Sequence, residues 1–104
     1  MNGETLQHTV RITNSQGLHM RPAAEFVETA RRFKSSVFLS KDGKRVDAKG
    51  GPLELLFLGA LPGTELNLEV SGDDARTALD ALIAVFAAMA LEVSDDVTRI
   101  PRKG

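Results

Sequence analysis

Residues 17–33, GLHMRPAAEFVETARRF, contain the pattern that decides the fold. After Pro22 the apolar residues recur at offsets of three, four, seven and ten positions, which place them on one face of an α-helix; they are Ala23, Phe26, Val27, Ala30 and Phe33. Proline suits the first turn of a helix, because that turn does not need its missing N–H group. The stretch therefore predicts an amphipathic helix that begins near Pro22 and covers an apolar layer.

The segments around this helix predict a sheet with one buried face. Apolar and polar residues alternate in two strands, which is the period of a half-buried strand; the apolar positions are Leu6, His8, Val10 and Ile12 in the first, and Leu66, Leu68 and Val70 in the other. Asp42-Gly43 is a strong hairpin signal between two further strands. Pro52 opens a short apolar helix within residues 52–58.

A second long helix follows the last strand. We expect Ser71 to cap it and Asp73 and Asp74 to lie in its first turn. Its buried stripe is predicted at Ala75, Ala78, Leu79, Leu82, Ile83, Phe86 and Met89. The order βαββαβα predicts an α+β fold, a two-layer sandwich in which the helices cover one face of the sheet. We assign residues 1–91 to one domain and residues 92–104 to a loosely ordered tail.

Composition excludes several classes of site. The chain has 104 residues, a net charge of −1 and no cysteine, so disulfides, thiolate metal sites and cysteine nucleophiles are excluded. The spacing of the two histidines, His8 and His19, matches no metal-ligand pattern, so we expect no metal and no cofactor. His8 lies on a strand pattern and is predicted to be a packed or edge histidine. The N-terminus has no secretory signal, and the apolar run of residues 81–91 is too short to span a bilayer, so we expect a cytoplasmic protein without membrane insertion.

His19 and Arg21 stand at the start of the predicted first helix. The N–H groups of a first turn have no partner in the helix and form an anion site, which we place at Arg21, Pro22 and Ala23. A guanidinium can hold two phosphate oxygens at once, and a neutral imidazole is a good nucleophile towards phosphorus. Gly17 would let the loop turn tightly enough to present the ring. These parts suit a transient phosphohistidine, although a simple anion site or a surface histidine without function is also compatible with them.

The same stretch closely resembles the active-site segment of HPr, the histidine-containing phosphocarrier family of the phosphoenolpyruvate-dependent phosphotransferase system. The fixed places of that family's motif are all filled here, by Gly17, Leu18, His19, Arg21, Pro22 and Ala23. The resemblance continues through KDGKRVDAK and LGALPGTELNLEVSGDDARTALDAL and covers about residues 7 to 91. It leaves out the tail.

The resemblance implies an open-faced β-sandwich, a four-stranded antiparallel sheet with three helices on one face. It implies that enzyme I transfers a phosphoryl group to Nδ1 of His19, with Arg21 beside the phosphate, and that an enzyme IIA domain then receives it. Such a protein is a carrier that needs partner enzymes and is not itself an enzyme. The alternative is a regulatory module with the HPr fold that docks on partners without any phosphoryl relay.

One segment departs from the family pattern. Many members from Gram-positive bacteria carry a regulatory serine at the start of the second helix, where this chain reads AKGGPLELLF. Gly50 or Gly51 occupies that place, so no hydroxyl is available for a seryl kinase. The sequence leaves open whether the protein serves sugar transport or a regulatory branch.

The second helix has more apolar residues than one helix face can bury. We expect Leu53, Leu56 and Phe57 to anchor one face, while Leu55 and Leu58 fall on another flank. The excess is either covered by loops or exposed as a docking patch, which we assign to Leu53, Leu55, Leu56 and Leu58. Arg31 and Arg32 could lie at the rim of that interface or complement the dipole of their own helix. The partners would be enzyme I and enzyme IIA-type domains, bound in turn by a monomer.

A nucleic-acid-binding domain is the remaining class. It would need exposed aromatic rings on the sheet and a basic face. The strand patterns offer only Phe38, and the net charge is slightly negative. We therefore expect no nucleic-acid partner.

Overall fold

A computed structural model describes residues 3–13, 16–58 and 61–103, and it describes side chains up to Met89. The elements are β1 (Glu4–Arg11), α1 (Met20–Arg31), β2 (Ser36–Lys41), β3 (Lys44–Asp47), a 3₁₀ turn (Ala48–Gly50), α2 (Pro52–Leu58), β4 (Glu65–Gly72) and α3 (Ala75–Lys103). The predicted βαββαβα order is confirmed.

The four strands form one antiparallel sheet in the order β1-β4-β2-β3. Because β1 is an edge strand, the exposed His8 is an edge histidine, as predicted. One face of the sheet is apolar and lies under the helices, with side chains from the central strands almost fully buried; they are Val37, Leu39, Leu66, Leu68 and Val70. The opposite face carries polar residues, such as the row of Thr9, Asn67 and Ser40. The fold is the open-faced α+β sandwich that was expected.

Helices α1 and α3 build the second layer. The predicted stripe of α1 is buried at Ala23, Phe26, Val27 and Ala30, and Phe33 lies just beyond the helix, half-buried. The ring of Phe26 meets the ring of Phe86 from α3 edge to face, with centroids 5.2 Å apart. This contact joins the helix that carries His19 to the last helix.

The hairpin between β2 and β3 forms where it was predicted. Asp42 and Gly43 have φ angles of 53° and 83°, so both central residues of the turn lie in the left-handed region that a type I′ hairpin requires. This two-residue turn sets the register in which Leu39 faces Val46.

The predicted cap of the last helix is wrong. Ser71 belongs to β4, where its hydroxyl donates to the Thr5 hydroxyl, and α3 begins only at Ala75. The Asp74 carboxylate instead accepts hydrogen bonds from the Ser35 hydroxyl and from the backbone N–H groups of Lys34 and Ser35. These bonds, the Ser35 hydroxyl first, hold the pKa of Asp74 below its usual value. Asp74 therefore anchors the α1–β2 connection rather than the first turn of α3.

The last helix runs into the segment that was assigned to the tail. Helix α3 ends at Lys103, and the tail was predicted over residues 92–104. The helical period does persist, because Val93, Val97 and Ile100 follow Met89 at four, eight and eleven positions, but charged residues between them dilute the pattern. The division of the chain into a domain of residues 1–91 and a tail stays a prediction.

Candidate functional site

His19 is the N-cap residue of α1. Its backbone is extended, with φ −129° and ψ −178°, and its carbonyl oxygen accepts the N–H of Ala23 at 3.0 Å, which is the first bond of the helix. Gly17 has a φ of 72°, a left-handed conformation that glycine adopts without strain, so the predicted tight turn is present. The neighbouring Leu18 is buried and fixes the loop to the core. The imidazole is thus held at the mouth of the helix by its own main chain.

The ring of His19 is half-buried and lies outside the core. Nδ1 is 3.2 Å from the carbonyl oxygen of Gly17, and the ring makes no capping bond to the helix. A carbonyl oxygen only accepts hydrogen bonds, so a ring nitrogen that binds it carries the proton. In this arrangement Nδ1 is the donor to the Gly17 carbonyl oxygen.

The first turn of α1 offers backbone donors beside this ring. Met20 and Arg21 occupy positions whose N–H groups have no acceptor inside the helix. Pro22 has no N–H, and Ala23 donates to His19, so neither supplies a donor to an anion. Because the helix begins two residues earlier than expected, neither Pro22 nor Ala23 offers an N–H group to a phosphate, and the assignment of phosphate binding to Arg21, Pro22 and Ala23 stays a prediction. Pro22 and Ala23 are buried and support the turn from below.

The electrostatics of this helix end favour an anion. The first turn contains no acidic residue, so no side chain of that turn neutralises the positive end of the helix dipole. Arg21 is exposed in the same turn and adds a permanent positive charge. An imidazole, two main-chain donors and a guanidinium are thus gathered at one helix end, which can stabilise a dianion formed on the ring.

Helix α2 lies beside this loop but in a different rotation from the predicted one. Leu55 and Leu58 are buried, Leu56 is half-buried, and Leu53 and Phe57 are exposed. The assignment of Leu55 and Leu58 to a docking patch is therefore wrong, and so is the burial predicted for Leu53 and Phe57. Five of the seven residues Pro52–Leu58 are Leu or Phe, so the spacing of apolar residues could not determine the rotation of α2 about its own axis. Gly51, with φ 131°, sets the direction from which the chain enters the helix.

Four of the described large apolar side chains are exposed. Phe57 is 80 % exposed, Leu61 72 %, Leu53 56 % and Met20 46 %. Leu53 and Phe57 share one face of α2, since they lie four positions apart. Leu55, on the inner side of the same helix, lines an apolar crevice together with Leu18 and Pro22, which flank His19. The inner side of α2 thus packs next to the loop that presents the imidazole.

Arg31 holds α1 to the segment that precedes α2. Its Nε and Nη2 atoms donate to the carbonyl oxygen of Lys49 at 3.1 and 2.8 Å. Lys49 in turn donates from Nζ to the Phe33 carbonyl oxygen at 2.8 Å. Arg31 lies in the last turn of α1, where it can complement the helix dipole, and it also links two elements, a role that the sequence analysis did not include. The sequence alone gave no signal for this pair.

The segment between Lys49 and Pro52 contains no hydroxyl group. Gly50 lies close to Glu54, whose Oε1 would be 3.0 Å from a Cβ at that position. A side chain at Gly50 would therefore have to displace the Glu54 carboxylate, and one at Gly51 would meet an unfavourable φ.

Metal, membrane and nucleic-acid sites are three further possibilities for these residues. Among the described side chains, no group of three or more His, Asp or Glu residues is placed to hold a metal ion. Within the described part of the chain, no helix has both the length and the hydropathy to cross a bilayer. On the open face of the sheet, the Arg45 guanidinium lies 3.7 Å from the ring centroid of Phe38 and covers the face that a base would need. The absence of a nucleic-acid partner stays a prediction.

Comparisons with known proteins agree with this geometry. A family model described as "PTS HPr component phosphorylation site" matches residues 6–88. The HPr-like protein Crh of Bacillus subtilis (strain 168) is 46 % identical over 79 residues, which cover 76 % of this chain and 92 % of the relative. The phosphocarrier protein HPr of Xylella fastidiosa (strain Temecula1) is 37 % identical over 81 residues, which cover 78 % of this chain and 90 % of the relative.

A solved structure shows the same fold. The crystal structure of HPr from Thermoanaerobacter tengcongensis superposes with a TM-score of 0.74 at 38 % identity, over 81 % of this chain and 93 % of that one. The match by family, by sequence and by fold covers the sandwich and the loop that carries His19. The chain therefore belongs to the HPr family, the histidine-containing phosphocarriers of the phosphotransferase system.

Proposed function

We propose that the protein carries a phosphoryl group on His19, which it receives from phosphorylated enzyme I and passes to an enzyme IIA domain or a regulatory partner. One observation supports this assignment above the others: a half-exposed imidazole is the N-cap residue of α1, beside first-turn N–H groups and Arg21. The protein is a carrier, because both transfers need a partner enzyme. We place it in the cytoplasm on the family resemblance, and a single copy of the domain meets each partner.

The chemical step is an exchange between two imidazoles. The lone pair of a His19 nitrogen attacks phosphorus in line, while the phosphorus–nitrogen bond of the donor breaks and its electron pair returns to the donor ring. The resemblance names Nδ1 as the acceptor. In the resting arrangement Nδ1 faces the Gly17 carbonyl oxygen, so the ring must turn away from Gly17 and hold its proton on Nε2 before it attacks.

The phosphorylated ring then carries a dianion at the helix mouth. The N–H groups of Met20 and Arg21 point out of the first turn, and the Arg21 guanidinium adds charge that the transition state also needs. No acidic side chain of that turn opposes them. These donors stabilise the transferred group without holding it permanently, as a carrier requires.

Docking is assigned to the exposed apolar residues next to this site. Met20 follows His19 directly, and Leu53 and Phe57 form the outer face of α2. Three exposed apolar side chains form a small surface. A small surface suits short-lived complexes, and each partner must be released after transfer.

Incubation with phosphoenolpyruvate and an enzyme I, followed by intact-mass measurement, tests the proposal. We expect the parent chain to gain the mass of one phosphoryl group and His19→Ala to gain none. His8→Ala is the matched control, because His8 is the other histidine of the chain and lies exposed on β1; it should be phosphorylated like the parent. A parent chain whose mass does not change, or a modified His19→Ala, would contradict the assignment.

Arg21→Ala separates charge stabilisation from nucleophilic attack. We expect the transfer rate to fall by about 10²–10³-fold, as for the loss of one donor in an electrostatic site, while acceptance persists. A complete loss equal to that of His19→Ala, in a variant that keeps its melting temperature, would show that Arg21 does more than stabilise charge.

A regulatory docking module is the second candidate. It is favoured by the similarity to a relative named only as HPr-like, and by the exposed apolar flank of α2. In that case His19→Ala would bind its partner and produce its output as the parent does. Loss of the output with the loss of His19 would favour the relay.

A further inference from the structure

Helix α3 is longer than the layer it covers. It has 29 residues, and at 1.5 Å per residue it is about 44 Å long. Strands β1 and β4 have 8 residues each, which correspond to about 26 Å. Since α3 begins three residues after β4 ends, the last dozen residues of the helix extend beyond the sheet. The dimensions of the molecule, 57 × 26 × 20 Å, are consistent with such an extension.

The extension repeats the apolar spacing of the buried part of α3. Leu82 and Met89 are buried in the core, and Phe86 is packed against it. Val93, Val97 and Ile100 continue the same row at helical spacing. The family model ends at residue 88, before this row leaves the domain. Most of the stability of a helix in a protein comes from packing of its apolar face, so a further apolar partner would stabilise the extension.

The charges of the extension are divided into two halves of opposite sign. Its first half holds three acidic residues and its second half three basic ones; they are Glu92, Asp95 and Asp96, then Arg99, Arg102 and Lys103. Two copies of this segment in parallel would place like charges together. Two copies in antiparallel orientation would place each acidic half against a basic half.

We propose that residues 92–103 form an antiparallel helix pair with the same segment of a second copy of this chain. The pair has two-fold symmetry about a point near Val97. It brings Val93 of one copy towards Ile100 of the other, and the two Val97 positions face each other. The interface is small, so we expect a dissociation constant between about 10 µM and 1 mM. This inference does not rest on the phosphocarrier function, because His19 and α3's extension lie on separate elements.

Two charge-reversed proteins test the pairing. The first carries Arg99→Glu, Arg102→Glu and Lys103→Glu, and the second carries Glu92→Lys, Asp95→Lys and Asp96→Lys. Sedimentation equilibrium, up to about 1 mM chain, should show that the parent dimerises and that each reversed protein alone dissociates at least about tenfold more readily. An equimolar mixture should form a dimer of one copy of each.

Each other outcome overturns the proposal. A parent that stays a single chain at about 1 mM has no such pair. Reversed proteins that dimerise alone as well as the parent would show that the contact lies elsewhere. A mixture that stays monomeric would exclude a pair held together by these opposite charges. Val97→Asp should weaken the parent dimer at least about tenfold, and His19→Ala should leave it unchanged.

Discussion

Leu55→Ala and Leu53→Ala, two changes of the same chemistry on one short helix, separate folding from docking. Leu55 is 1 % exposed and Leu53 is 56 % exposed. The first change removes a side chain from the core, and the second removes one from the proposed docking surface. The two variants should therefore affect different measurements.

The expected loss for Leu55→Ala follows from its surroundings. A buried Leu→Ala change costs about 2–5 kcal/mol, and more where the cavity cannot collapse. Leu55 borders an apolar crevice with no room for a water molecule, and Val85, Phe86 and Met89 of α3 line it. Because these side chains can close part of the new space, we expect about 3 kcal/mol, near the lower half of that range.

Thermal unfolding followed by far-UV circular dichroism measures this loss. For a domain of this size, about 3 kcal/mol lowers the melting temperature by about 12–24 °C. Leu53→Ala should change the free energy of unfolding by less than about 0.5 kcal/mol. Binding to enzyme I, measured well below both melting temperatures, should weaken about tenfold for Leu53→Ala and less than twofold for Leu55→Ala. The reverse result, with Leu53→Ala unstable and Leu55→Ala defective in binding, would refute the observed rotation of α2.

Three further predictions concern the links between elements. Gly72→Ala should cost at least about 2 kcal/mol in a denaturant titration, because φ is 150° and the new Cβ would lie 2.7 Å from the Cα of Ser35; an unchanged midpoint would contradict this packing. The pKa of Asp74 is lowered in the folded state, so its contribution to the free energy of unfolding is complete above the usual value of 3.8 and is lost as pH falls through the folded-state pKa. The difference in unfolding free energy between the parent and Asp74→Asn should therefore shrink as pH falls through that range. A difference that stays constant with pH would refute the role of the carboxylate. Arg31→Ala should cost about 1 kcal/mol or less and speed amide hydrogen exchange in residues 48–58, because the bonds to the Lys49 carbonyl oxygen are lost; exchange confined to α1 would argue against the link.

The part of the fold that followed from the sequence was set by long periodic segments. The stripe from Ala23 to Ala30 and the alternation in β4 each offer several residues in one phase, so their buried faces were determined. The turn at Asp42-Gly43 is equally local, because its conformation depends on two residues. Pro22 predicted a helix start next to His19, and the predicted start lies two residues after the actual one at Met20.

The wrong predictions concern features that depend on contacts between residues far apart in the sequence. Seven residues with five large apolar side chains fit several rotations of α2, and packing against α1 selects one of them. Asp74 was assigned to its own helix by a local rule, yet its partners lie 39 and 40 positions away in the chain. The helix start was misplaced by two residues, and that small shift moved the available N–H donors from Ala23 to Met20. No pattern in a single sequence contains such pairs.

The use of main-chain atoms at the mouth of α1 affects how the site would appear in a genetic screen. Side-chain replacements at Met20 leave its N–H group in place, so saturation mutagenesis would identify His19 and Arg21 as phosphate-binding residues and would identify Met20 only through its proposed docking side chain. Proline at position 20 would be the exception, because it alone among the twenty amino acids deletes that hydrogen. The main-chain half of the proposed phosphate site thus depends on where the helix starts. It does not depend on which side chain, other than proline, stands at that position.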